Sequence, residues 1–142
     1  MLNNILIGSV TPHINKKTIE MTFALAQSFR SRVTVLTCIH NVPMFGVFET
    51  RSEKQRRAEL ILDAQKSLET ITKLAQAHNV HLETKIELTD SISESVVSYI
   101  KSHNIDLLIV DSNPPKEIKD EDYKETINRV YKSINCPILT LK

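Results

Sequence analysis

"IVDSNPPKEIKDEDYKETINRVYKSINCPILTL", residues 109–141, opens on the end of one apolar run and closes on another. Residues 105–110 read as a strand buried on both faces, and Ile138, Leu139, Thr140 and Leu141 as a second. Between them Tyr123, Ile127, Val130 with Tyr131, and Ile134 recur at helical spacing. Asp120 or Asp122 stands where a capping side chain belongs. Cys136-Pro137 ends this helix, because proline cannot continue one. Strand, helix and strand in this order make a crossover between two parallel strands.

The same unit recurs towards the N-terminus. Residues 4–10, "NILIGSV", form an uncharged apolar run. A helix follows over residues 17–30, with Ile19, Thr22 and Phe23, Ala26 and Phe29 on its inner face. The β-branched "RVTVLTCI" of residues 32–39 is strand-like. Residues 52–79 form a long, charged helix whose stripe is Ala58, Ile61, Ala64 with Gln65, Leu68, Ile71 and Ala75. Residues 81–88 alternate as an edge strand does, with Leu82, Thr84, Ile86 and Leu88 on one face. Residues 93–103 form a helix with Val96, Val97 and Ile100 inward, and Asn104 is its stop. The order βαβαβαβαβ predicts an α/β domain over residues 1–142, with a five-stranded, doubly wound parallel sheet and helices on both faces.

Composition removes several function classes. The chain has 142 residues, enough for one domain with a full core. The net charge of +1 gives no basic excess for nucleic acid. The apolar runs are too short to span a bilayer. Cys38 and Cys136 form no CxxC and no metal spacing, so they read as reduced cysteines of a cytoplasmic protein. The five histidines, His13, His40, His78, His81 and His103, form no ligand pattern. His13 and His40 fall in loops at the same end of the sheet, where a metal or acid–base role would have to be built. No nucleophile motif of the Gly-x-Ser-x-Gly kind occurs. No catalytic set can be assembled, and no cofactor or metal is expected.

Several stretches together carry a resemblance. "ILIGSVT", "LTDSISESVVSYI", "IDLLIVDS" and "NCPILTL" stand in the order, over one domain, that resembles the universal stress protein family. The resemblance implies the strand order 3-2-1-4-5, a Rossmann-like sheet and a homodimer paired through the last strand, Ile138, Leu139, Thr140 and Leu141. A second copy would then cover an edge that is otherwise a pairing hazard. It also implies a role in stress response.

Some members of that family bind ATP through a glycine-rich frame. Placed on this chain, the frame's first glycine falls on Asp111, its second on Pro114, and its last pair on Lys124 and Glu125. The family's aspartate at the end of the first strand falls on Val10. The spacing survives while each required residue is replaced. Glycines let backbone N–H groups approach a phosphate, whereas Pro114 has no N–H to offer. Asp111 and Glu125 place negative charge where an anion would lie, and residues 116–125 hold three lysines against five acids. Two glycines in the whole chain, against about ten at average usage, fit the same loss. A degenerate nucleotide site is expected, in a non-enzymatic dimer that works through protein contacts and does not bind ATP.

The alternative is a small-molecule or nucleotide module with a remodelled pocket at the ends of the first and fourth strands. Ser9, Thr11, Asp111 and Ser112 would line it, beside Asn113. The apolar stretch of residues 42–50, "VPMFGVFET", would serve as its lid or as a partner contact. Lys16, Lys17 and Lys124 read as solvated helix ends, with phosphate contact as the functional alternative. Asp90, Ser91 or Ser93 reads as the cap of the helix that follows.

Overall fold

The structure, a computed structural model, describes residues 2–10, 13–41, 51–111 and 119–141. Nine elements follow one another: β1 (Asn4–Ser9), α1 (Lys16–Phe29), β2 (Arg32–His40), α2 (Arg51–Ala77), β3 (His81–Thr89), α3 (Ile92–Ser102), β4 (Leu107–Asp111), α4 (Asp120–Ser133) and β5 (Ile138–Leu141). All paired strands are parallel and lie in the order β3-β2-β1-β4-β5, as expected.

Side-chain alternation splits the core into two layers. Ile5 and Ile7 of β1 point to one face with Val33, Val35, Leu107 and Ile109, where Phe23 of α1 and Leu68 and Ile71 of α2 cover them. Leu6 points to the other face with Leu36, Cys38, Leu108 and Val110, under Val96 and Ile100 of α3 and Val130 of α4. A central parallel strand is buried on both sides, which is why β1 and β4 carry runs of apolar residues with no polar alternation. Each fully buried side chain of this size contributes on the order of 1.5–3 kcal/mol.

Helix ends use few glycines. Arg30, Asn79 and Asn104 each adopt positive φ, at 54°, 56° and 51°, where the chain leaves α1, α2 and α3. Asn104 was the expected stop; Arg30 does the same with a side chain that ordinarily avoids this region. At the start of β4, the Asp106 carboxylate accepts the backbone N–H groups of Asn3 and Asn4, both at 2.9 Å.

Several expected inward positions are corrected. Phe29 is 45% exposed and Tyr131 66% exposed, because the helical stripe extrapolated to them runs past the edge of the packed face. Ala58 is exposed, Gln65 is exposed because Ala64 beside it takes the inner position, and Ile61 and Val97 are only half-buried. On β3, Leu82 and Ile86 are half-buried, but Thr84 and Leu88 face solvent at the sheet edge. Tyr99, three residues after Val96 and on the same helix face, is buried as well and was not among the expected inward residues. The residue preceding α4 is Lys119, without a side-chain cap; Asp120 is the first helical residue, so neither Asp120 nor Asp122 is the cap.

Candidate functional site

The sheet's carboxyl end is the place where open α/β sheets hold ligands, at the point where strand order reverses. Here that point lies between β1 and β4. Their pairing runs from Ile5 with Leu107 to Ile7 with Ile109. Two residues further, Ser9 and Asp111 close the strands. Ser9 is buried, while Asp111 and Val10 are half-buried.

Asp111 ties three elements together. One carboxylate oxygen accepts the Thr18 hydroxyl of α1. The other accepts the Asn15 backbone N–H at 3.4 Å. Asn15 is itself the cap of α1, its side-chain oxygen accepting the Lys17 N–H at 2.9 Å. The carboxylate therefore sits at the first turn of α1, where unpaired N–H groups and the positive end of the helix dipole favour negative charge. On the opposite side, Tyr123 of α4 donates its hydroxyl to the Asp111 backbone carbonyl at 2.5 Å. Burial, and then the Asp111 carboxylate, push the Tyr123 phenol up to about 12. It is a neutral donor at any physiological pH.

Thr18 and Asn15 were not foreseen as site residues. Thr18 directly precedes the apolar stripe of α1 that begins at Ile19, and a hydrophobic pattern does not mark it. The usable signal was a hydroxyl one turn into a helix, facing a strand that ends in aspartate.

The other expected positions are spread more widely. Lys124 and Glu125 are exposed on the first turns of α4, and Glu125 pairs with Arg129 at 2.7 Å. Thr11, Ser112, Asn113 and Pro114, and residues 42–50, lie outside the described residues. An open groove of about 450 Å³ runs beside Asp111 between α4 and β5, with Tyr123, Ile127, Tyr131, Ile138 and Thr140 in its wall. Gly8 gives no cradle for a ligand: a Cβ there would meet Leu108 and Val110 at ordinary contact distances of 3.5 and 3.7 Å.

At the end of β3 the expected capping is present. The Ser91 hydroxyl accepts the Glu94 N–H, and Thr89 and Ser95 bond to each other, so these hydroxyls serve the local turn. His13 and His40 are exposed, and among the described residues no group of three His, Cys, Asp or Glu side chains could hold a metal ion. The Cys38 thiol is pushed up to about 12 by burial and then by Glu87, so it is unreactive. Both cysteines are free thiols. No helix of the described residues is long and apolar enough to cross a membrane.

The family model described as "Universal stress protein family" matches residues 1–142. No curated protein matches the chain. Among solved structures, the chain is similar to the universal stress protein UspA of Lactobacillus plantarum, with a TM-score of 0.73 and 16% identity over 99% of this chain and 98% of that one. It is also similar to a universal stress protein of Archaeoglobus fulgidus in complex with dAMP, with a TM-score of 0.66 and 11% identity over 100% of both chains. A family protein of Arabidopsis thaliana with AMP bound gives a TM-score of 0.61 and 16% identity over 99% of this chain and 91% of that one.

Proposed function

The chain belongs to the universal stress protein family, and from that premise we propose that it is a non-enzymatic, dimeric member that does not bind ATP and acts in stress response through protein contacts. The observation that carries this reading is the Asp111 carboxylate on the first turn of α1, bonded to Thr18 and Asn15. It supplies from within the chain the negative charge that such a helix end attracts. A phosphate brought to the same place would meet like charge at a few ångströms, a repulsion on the order of 1 kcal/mol or more near a protein surface. It would also have to displace bonds already made.

Dimerisation is supported by the last strand. Ile138, Leu139 and Leu141 are only half-buried and β5 is an edge, so a second copy along it would remove an exposed pairing surface.

A second reading has an observation of its own. Relatives of this fold hold dAMP and AMP, and the groove between α4 and β5 lies directly beside Asp111. A small molecule seated there would make this chain a binding module.

Calorimetric titration with ATP and magnesium, with AMP as control, tests the first reading. No heat with either nucleotide is expected. Saturable binding at one site per chain would overturn it and put the second reading first. Light scattering tests the dimer: the intact chain is expected at twice its monomer mass and Thr140→Asp at the monomer mass, while an intact chain that runs as a monomer would refute the pairing.

A further inference from the structure

Helix α2 is 27 residues long, roughly 40 Å, and only part of it packs. Its buried side chains are Ala64, Leu68, Ile71 and Ala75. None of residues 51–63 is fully buried, but Glu53, Arg57, Leu60 and Ile61 are half-buried, so about 20 Å of helix is covered along one side only and leaves its outer face open. This arm opens "RSEKQRR", with four cations and one acid in its first two turns.

Those charges oppose their own helix. The first turn of a helix carries the positive end of the macrodipole, where cations are unfavourable. The chain follows that rule elsewhere: Lys101 stands in the last turn of α3, Lys132 in the last turn of α4, and Glu94 in the first turn of α3. Helix α1 breaks it with Lys16 and Lys17, but there Glu20 pairs with Lys16 and the Asp111 carboxylate lies at the same turn. At α2 the acid in the first turn is Glu53. Among the described residues, Arg51, Lys54 and Arg56 are exposed and form no ion pair. Neither packing nor helix electrostatics explains them.

Their geometry makes one surface. Arg51, Lys54, Ala58 and Leu62 recur at three- and four-residue spacing, so they share one outward face. Leu62 is 51% exposed on it. The face therefore offers two cations at one end and an apolar contact about two turns on. Glu59 and Asp63 flank it, which sets it against a uniformly anionic lipid plane, and one large apolar side chain is too little to enter a membrane.

We propose that this arm of α2 is the docking surface for a protein partner, and that the partner presents an acidic segment with an apolar side chain next to it. The proposal rests on the reading of the chain as a protein-contact module and names the partner's chemistry. Acidic side chains pair with Arg51 and Lys54, while the apolar one covers Ala58 and Leu62. Such contacts steer encounter and weaken with salt. The positive charge at the start of α2 is kept at the expense of helix stability because the partner uses it.

The test uses the full chain and a short fluorescein-labelled peptide of glutamates and leucines. The intact chain is expected to raise the peptide's anisotropy at low salt, and the double substitution Arg51→Glu/Lys54→Glu to weaken binding about tenfold or more. The same variant is expected to melt a few degrees higher, since acids suit a helix start. Arg51→Gln/Lys54→Gln, a milder change, should move both readouts in the same directions. Unchanged peptide affinity in both variants, a lower melting temperature in both, or binding to phosphatidylserine vesicles in place of the peptide would each overturn the proposal. An ATP titration of the same sample separates this outcome from failure of the broader reading: nucleotide binding with peptide binding intact would remove the latter and leave the arm standing.

Discussion

The two ends of β4 are each closed by an aspartate, and they do different work. Asp106, before the strand, accepts the backbone N–H groups of Asn3 and of Asn4, the first residue of β1, both at 2.9 Å. Its own N–H returns a bond to the Asn4 carbonyl at 2.9 Å. Asp111, at the far end, accepts the Thr18 hydroxyl and reaches the Asn15 N–H only at 3.4 Å. The first is a closed clasp between strands that the sheet already holds in register. The second spans from a strand to a helix start, at the end of the sheet where ligands bind. One residue type thus acts as a structural tie at one end of the strand and as an internal anion at the other.

The largest effect is expected at Asp106. Asp106→Ala leaves two N–H groups without their charged acceptor and should lower unfolding free energy by about 2–3 kcal/mol, read from urea denaturation. Asp106→Asn keeps one acceptor oxygen and should recover roughly half of that loss. Asp111→Ala should be milder, about 1–2 kcal/mol, with Thr18→Val similar and the double variant less than the sum, because both remove one shared bond. If Asp111→Ala proved more damaging than Asp106→Ala, the contrast between tie and stand-in would be reversed.

The smallest effect depends on pH. The Tyr123 phenol is raised from 10.0 to about 12, so its folded form holds the proton more tightly than its unfolded form. Its contribution is fully present below pH 10 and is lost as pH rises towards 12. Tyr123→Phe should lose about 1 kcal/mol at neutral pH, through the missing bond to the Asp111 carbonyl. The gap between variant and intact chain should narrow at pH 11, in denaturation curves taken at both values. An equal gap at both would detach the phenol from this end of the strand.

The elements were legible because buried parallel strands write themselves as short apolar runs between helical stripes, whereas the sheet order followed only from the family resemblance, since apolar runs do not say which strands are neighbours. Residues at element ends were less legible. Phe29 and Tyr131 continue a helical stripe in sequence, but the sheet beneath them has ended. The replaced positions of the ATP frame could be counted along the chain, and so could the negative charge at Asp111. Its partners could not, because Thr18 and Asn15 lie more than ninety residues away and belong to another crossover unit. Pairing at that distance is decided by how α1 lies over the sheet, which no local pattern records.

The strand order also bears on synthesis. Strands β1, β2 and β3 all lie within the first 89 residues and occupy neighbouring places in the sheet. On the ribosome, three adjoining strands and the helices α1 and α2 can therefore assemble before β4 exists. Until Leu107–Asp111 emerges, the outer side of β1 stays an open edge of unpaired backbone N–H and C=O groups, flanked by the apolar side chains of Ile5, Leu6 and Ile7. That interval is when a nascent chain of this kind is most exposed to pairing with a neighbour on the same polysome. The arrival of β4, fastened to Asn3 and Asn4 by Asp106, closes it.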